Sequence, residues 1–149
     1  MPMNNTRYAN RAIRFFCAGL AISAPACSVH KLDLRHVDWV VERNEAGGVI
    51  SAQVPRLNDL ADSGAYFAPK GASGWFGPSG LVESEPDSDM MVLRFPCSSA
   101  VSHLVDAMMD ADSFVLVFRK NAQFFSWDVA VADVDVVAVK RAIRSVYGK

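Results

Sequence analysis

Apolar and polar side chains alternate from His36 to Arg43, with Val37, Trp39 and Val41 on one side and His36, Asp38 and Glu42 on the other. A period of two belongs to a half-buried strand, and the pattern predicts one here. Asn44 to Gly48 reads as a turn whose two glycines are free to take positive φ. Val49 to Val54 returns as a second strand, and Pro55 closes the hairpin because proline cannot donate to a ladder. Met90 to Phe95 is a third, short apolar strand ending at Pro96.

The period then lengthens. Val101, Leu104, Val105, Met108 and Met109 recur at helical spacing, predicting a helix that runs to about Asp110 with Ser98 or Ser99 as its cap. Ser113 to Lys120 and Phe124 to Ala132 form a second hairpin around an Asn121-Ala122-Gln123 turn. In its returning strand Phe125, Trp127, Val129 and Val131 alternate with Ser126, Asp128 and Ala130. A last helix carries an apolar stripe of Val136, Val139, Ile143, Val146 and Tyr147. Asp133 is its expected cap, Asp135 lies in its first turn, and Lys140, Arg141 and Arg144 gather toward its end, all in the sense that complements the helix dipole. Hairpins followed by helices predict an α+β domain over 36–149: an antiparallel sheet with two short helices packed on it.

Two segments escape these periods. Arg56 to Asp62 has room for one helical turn. Positions 63–89 hold Gly64, Gly71, Gly74, Gly77 and Gly80 with several prolines, and read as an irregular loop ending in Glu83, Glu85, Asp87 and Asp89. Tyr66, Phe67, Trp75 and Phe76 stand among these glycines. Aromatic rings on a long glycine-rich loop suit a binding surface. The competing expectation is that the rings pin the loop to the core, with short strands at Ala65–Ala68 and Gly80–Glu83.

The N-terminus changes the picture of where the chain works. Arg7, Arg11 and Arg14 precede an uncharged run from Phe15 to Ala24, then Ala24-Pro25-Ala26 and Cys27. A basic start, a short apolar run and an A-x-A exit form the layout of a cleaved signal peptide over 1–26. The apolar run is about half the roughly 20 residues a membrane span needs. Ser28 to Arg35, polar and mixed, reads with Cys27 as a tether (27–35). The expected location is therefore the periplasm or the outer membrane.

Cleavage would leave 123 of the 149 residues, one domain able to bury a core. Three of the 15 basic residues and none of the 16 acids would be lost, giving a net charge of −4. That balance argues against nucleic acid as a partner and against anionic lipid surfaces, both of which need clustered Lys and Arg. Cys27 and Cys97 remain, and two outcomes exclude each other. Either Cys27 is acylated, since the stretch resembles a lipobox, or it pairs with Cys97 in an oxidising compartment.

A helix, a hairpin and a short C-terminal helix, behind a signal-like N-terminus and a Trp-bearing first strand, resemble the invasion-associated locus B family. These are small exported bacterial proteins linked in some members to host-cell entry. The similarity spans Ser99 to Tyr147 and lies in the pattern of elements. The family's cysteines after its first Trp strand have no counterpart between Val40 and Ala52. Val134-Asp135 stands where the family has Gly-Phe. The resemblance implies a non-enzymatic envelope protein and transfers no functional residue.

Catalytic signatures are sparse. No serine sits in a G-x-S-x-G elbow, and neither GASGW nor GPSGL is a phosphate loop. Neither a metal nor a cofactor is expected. The expectation is a non-catalytic binder of a protein or envelope component, using Tyr66, Phe67, Trp75 and Phe76. The alternative is a small secreted hydrolase using His103 with Asp106.

Overall fold

The computed structural model describes residues 29–57, 60–71, 74–84 and 88–148. The expected signal peptide, Cys27, Glu85 and Asp87 lie outside them. Eight strands form one sheet: β1 (His30–Leu34), β2 (Val40–Asn44), β3 (Gly47–Pro55), β4 (Gly64–Pro69), β5 (Phe76–Ser84), β6 (Met90–Cys97), β7 (Phe114–Asn121) and β8 (Ser126–Val134). Helices α1 (Ser102–Asp110) and α2 (Val136–Tyr147) complete an α+β fold.

The strand order is β1-β8-β7-β4-β5-β6-β3-β2, antiparallel throughout except for β1, which runs parallel to β8. β1 and β2 are consecutive in the chain yet occupy opposite edges. Seven inter-strand spacings of about 4.8 Å would put flat edges about 34 Å apart. The six steps from Leu34 to Val40 reach at most about 21 Å. The sheet must therefore curl into a half-barrel, and residues 35–39 bridge its open side. Val37 and Trp39 on this bridge pack against the core.

Two local readings are corrected here. His30–Leu34 is an edge strand and no tether. The strand expected over His36–Arg43 starts only at Val40, so Val37 and Trp39 reach the core from an irregular connection rather than from a ladder. The first difference comes from the parallel β1–β8 pairing, which joins segments about a hundred residues apart and leaves no trace in local alternation.

Inside the curl, Ile50, Phe67, Leu93, Phe95, Leu116 and Phe118 are fully buried. Phe67 and Phe95 stack at 4.9 Å, with Trp39 about 6 Å from both and Phe114 edge-on to Phe67 at 5.5 Å. Helix α1 packs against β5, α2 packs against β2 and β3, and the two helices touch. A smaller cluster of Ala68, Val115 and Val117, with Tyr66 and Val131, occupies the opposite face. β7 is thus buried on both sides from Phe114 to Phe118.

The segment expected as an irregular loop is mostly β4 and β5. Its glycines answer a packing need. Tyr66 pairs with Ser79 and Phe67 with Phe76, so Gly77 and Pro78 bulge out of β5. Gly77 has φ 75°, and a Cβ there would meet Met108 Sδ of α1 at 2.5 Å. A Cβ on Gly80 would strike the Arg94 carbonyl and the Phe95 ring.

The helices follow their sequence stripes, with adjusted starts. Val105 and Met108 of α1 and Val139, Ala142 and Ile143 of α2 are buried. α1 is entered through a 3-10 turn at Ser99–Val101, and Ser98 makes no side-chain cap bond. α2 begins two residues later than Asp133 would start it. Asp133 ends in β8, and the Asp135 carboxylate caps the helix by accepting the Ala138 N–H at 3.1 Å. Gly148 closes it in the left-handed region, donating its N–H to the Arg144 carbonyl.

Candidate functional site

The hairpin of β7 and β8 outruns its neighbours. β4 ends its pairing with β7 at Gly64↔Arg119, and β1 begins its pairing with β8 at His30↔Ala130. Beyond those points only the rungs Lys120↔Trp127 and Asn121↔Ser126 continue. The hairpin therefore projects past both flanking strands as a two-stranded finger. Its turn is closed by the Ala122 N–H donating to the Phe125 carbonyl at 2.8 Å.

This finger carries three large apolar side chains in solvent. Phe124 is 87% exposed, Phe125 64% and Trp127 40%. The Phe125 and Trp127 rings lie 5.3 Å apart. Lys120 is directly opposite Trp127. No acid occurs between Arg119 and Trp127.

The rings are bare because no strand flanks the end of the hairpin, and a bulge separates them from the rest of their alternating row. Phe118 pairs with Ala130 but Arg119 pairs with Asp128, so Val129 is an extra residue in β8. One inserted residue reverses the alternation of everything beyond it. Ala130, Ala132 and Val134 thus face the core. Val131, expected on the same side as Trp127, instead packs on the opposite face with Val117. The side expected to be buried is split among the core, the opposite face and solvent.

The base of the finger is fixed to β4. Arg119 Nε donates to Asp128 Oδ1 at 2.8 Å, and the guanidinium lies over the Tyr66 ring at 5.0 Å. Tyr66 Oη stands 3.4 Å from the same carboxylate oxygen, a long and weak bond. Burial, then the Asp128 charge, pushes the Tyr66 phenol well above its usual range, so it stays protonated. The arrangement is a cross-strand clamp that holds the finger's root while leaving its end bare.

The expected binding residues are not brought together. Phe67 is 0% and Phe76 7% exposed, so both are core rings and unable to contact a partner. They do what the competing expectation gave them, pinning the segment to the core. Tyr66 serves the clamp. Trp75 is 54% exposed but stands just before Phe76. Phe76 pairs with Phe67 near the Pro69↔Phe114 end of the sheet, opposite the finger.

Cys97 is buried, with its thiol 3.4 Å from the Phe95 carbonyl, and burial pushes its pKa up. Its expected partner Cys27 is outside the described residues. His103 and Asp106 both sit on the exposed face of α1. Among the described residues no group of three His, Cys, Asp or Glu side chains is placed to hold a metal. Glu83 of the expected acidic edge is exposed and pairs with Arg94 at 3.3 Å. These two residues line a shallow groove of about 270 Å³ with Ser79, Gly80, Leu81 and Pro96.

The finger was within reach of sequence reasoning. Phe124 and Phe125 are adjacent at the turn before β8 begins at Ser126, where a hairpin end meets water. No helix among the described residues is long and apolar enough to cross a membrane. No family model, no curated protein and no solved structure matches the chain.

Proposed function

We propose that this chain is a small exported bacterial envelope protein, periplasmic or lipid-anchored, that works by binding a protein or another envelope component rather than by catalysis. The observation that carries the reading is the aromatic finger. Three large rings held in water on a narrow projection forgo the roughly 25 cal/mol per Å² that burial would return. A contiguous apolar patch of this kind marks an interaction site. The clamp of Tyr66, Arg119 and Asp128 holds the root of the finger before any partner arrives, which lowers the ordering cost of binding.

The export half of the proposal rests on the basic, apolar and A-x-A layout before Cys27. The likeness to the invasion-associated locus B family points the same way, toward a non-enzymatic envelope role. The binding surface proposed is Phe124, Phe125 and Trp127, in place of the loop rings that the core has taken up.

The test is co-sedimentation of the purified, processed protein with washed bacterial envelope fragments. Wild type is expected in the pellet, and Phe124→Ser/Phe125→Ser in the supernatant with an unchanged circular dichroism spectrum. Equal sedimentation of the two proteins would remove the finger from the binding surface.

A further inference from the structure

The finger and the start of β1 lie at one end of the sheet. β1 runs parallel to β8 and starts at His30↔Ala130, three residues from Trp127. The 28 residues before Val29 therefore lead into the sheet at the end where Phe124, Phe125 and Trp127 project. That leading segment contains Cys27 and the uncharged run from Phe15 to Ala24. Where Cys27 is acylated, its acyl chains join the domain beside the exposed rings.

We propose that the finger is a membrane-interface contact: Phe124, Phe125 and Trp127 insert among the headgroups and upper acyl chains of a phospholipid bilayer. This rests on the binding reading above and names its occupant. Three observations select lipid over a protein surface or a second copy of this chain. The projection is two strands wide and bares three rings, a small surface beside the roughly 800 Å² per partner that a stable protein interface buries. Its chemistry is that of an interfacial belt, with aromatic rings at the end and Lys120 across from Trp127, where an ammonium meets phosphate. β1 begins at the same end of the sheet as the rings, so an acyl chain on Cys27 would add to an affinity the rings already supply. The processed chain is acidic overall, so insertion of the rings, and not charge, supplies most of the affinity.

Vesicle flotation decides the matter. The full-length gene carrying Cys27→Ser is expressed in an exporting host, so that no acyl chain is added, and the purified product is mixed with vesicles of phosphatidylethanolamine and phosphatidylglycerol. The protein is expected to float. Phe124→Ser/Phe125→Ser should lower the floating fraction at least fivefold, Phe124→Trp should retain it, and Trp75→Ala, at the far end of the sheet, should leave it unchanged. Unfolding midpoints of all variants confirm that they fold. No flotation, or flotation equal in wild type and double variant, overturns the lipid assignment. If the vesicles fail while the finger still governs sedimentation with envelope fragments, the binding reading stands and the occupant is a protein or glycan. If both fail, both readings fall.

Discussion

Two stretches of this protein are rich in aromatic rings, and they end in opposite environments. In β4 and β5, Phe67 and Phe76 sit inside the half-barrel, Phe67 stacked with Phe95 and both rings edge-on to Phe114. In the β7–β8 turn, Phe124, Phe125 and Trp127 stand in water. Composition predicts the reverse, because glycine and proline surround the first set while a regular hairpin carries the second. What separates them is the number of neighbouring strands. β4 lies between β5 and β7, and β5 between β4 and β6, so both ladders are filled and one face is roofed by α1. The end of the β7–β8 hairpin has no strand on either side. A ring is buried by what lies beside its strand more than by the residues next to it in sequence.

The largest effect expected from breaking this contrast is at Phe67. Phe67→Ala should cost about 3–5 kcal/mol, the usual range for emptying a buried aromatic site. Phe124→Ala should stay within about 0.5 kcal/mol. Urea unfolding of the two variants measures the difference, and similar losses would mean that the finger is packed in solution.

Next comes the packing of the glycine segment. Gly80→Val brings side-chain atoms against the Arg94 carbonyl and the Phe95 ring, and should cost about 1–3 kcal/mol. Gly74→Ala, with nothing within 4 Å of its added carbon but a φ of 107°, should cost less. Thermal unfolding of both variants separates close packing from backbone freedom as the reason for these glycines.

Cys97 extends the buried region chemically. Burial raises its pKa, so the folded protein holds the thiol proton more tightly than the unfolded chain does. The sign follows: this contribution to stability is complete below the unfolded thiol value of about 8.5 and is lost as pH rises through the folded value. Wild type should therefore lose stability above about pH 8.5 more steeply than Cys97→Ala, as read from urea midpoints between pH 7 and 10. The native thiol should also resist alkylation until denaturant is added.

The smallest effect is at the clamp. The Arg119–Asp128 pair is half-exposed, so Arg119→Ala should cost no more than about 1 kcal/mol. Its sharper signature is local: faster hydrogen exchange at Lys120 and Asn121, with exchange at Leu116 unchanged. Unaltered exchange at the root would show that the ladder alone holds the finger.

Much of this architecture is legible in the chain. The β2–β3 turn, β6, the apolar stripes of α1 and α2 and the basic end of α2 all appear where period and capping place them. Such features depend on residues within a few positions of one another, so local sequence determines them. The roles of Phe67 and Phe76 were open between surface and core, because an aromatic ring beside glycine satisfies both readings. The split of the β8 apolar row between two faces was hidden by a single extra residue. Without the bulge at Val129, the alternation from Phe125 to Val131 does describe one continuous buried side.

By itself the sequence determined the α+β class and the stripes that helices α1 and α2 bury. Tertiary structure decided that His30–Leu34 is a strand, that the sheet curls, and which aromatic rings are wet. The reason is physical: helical stripes and turns are set by neighbours in the chain, whereas sheet order, bulges and edges are set by partners that folding brings from far along it.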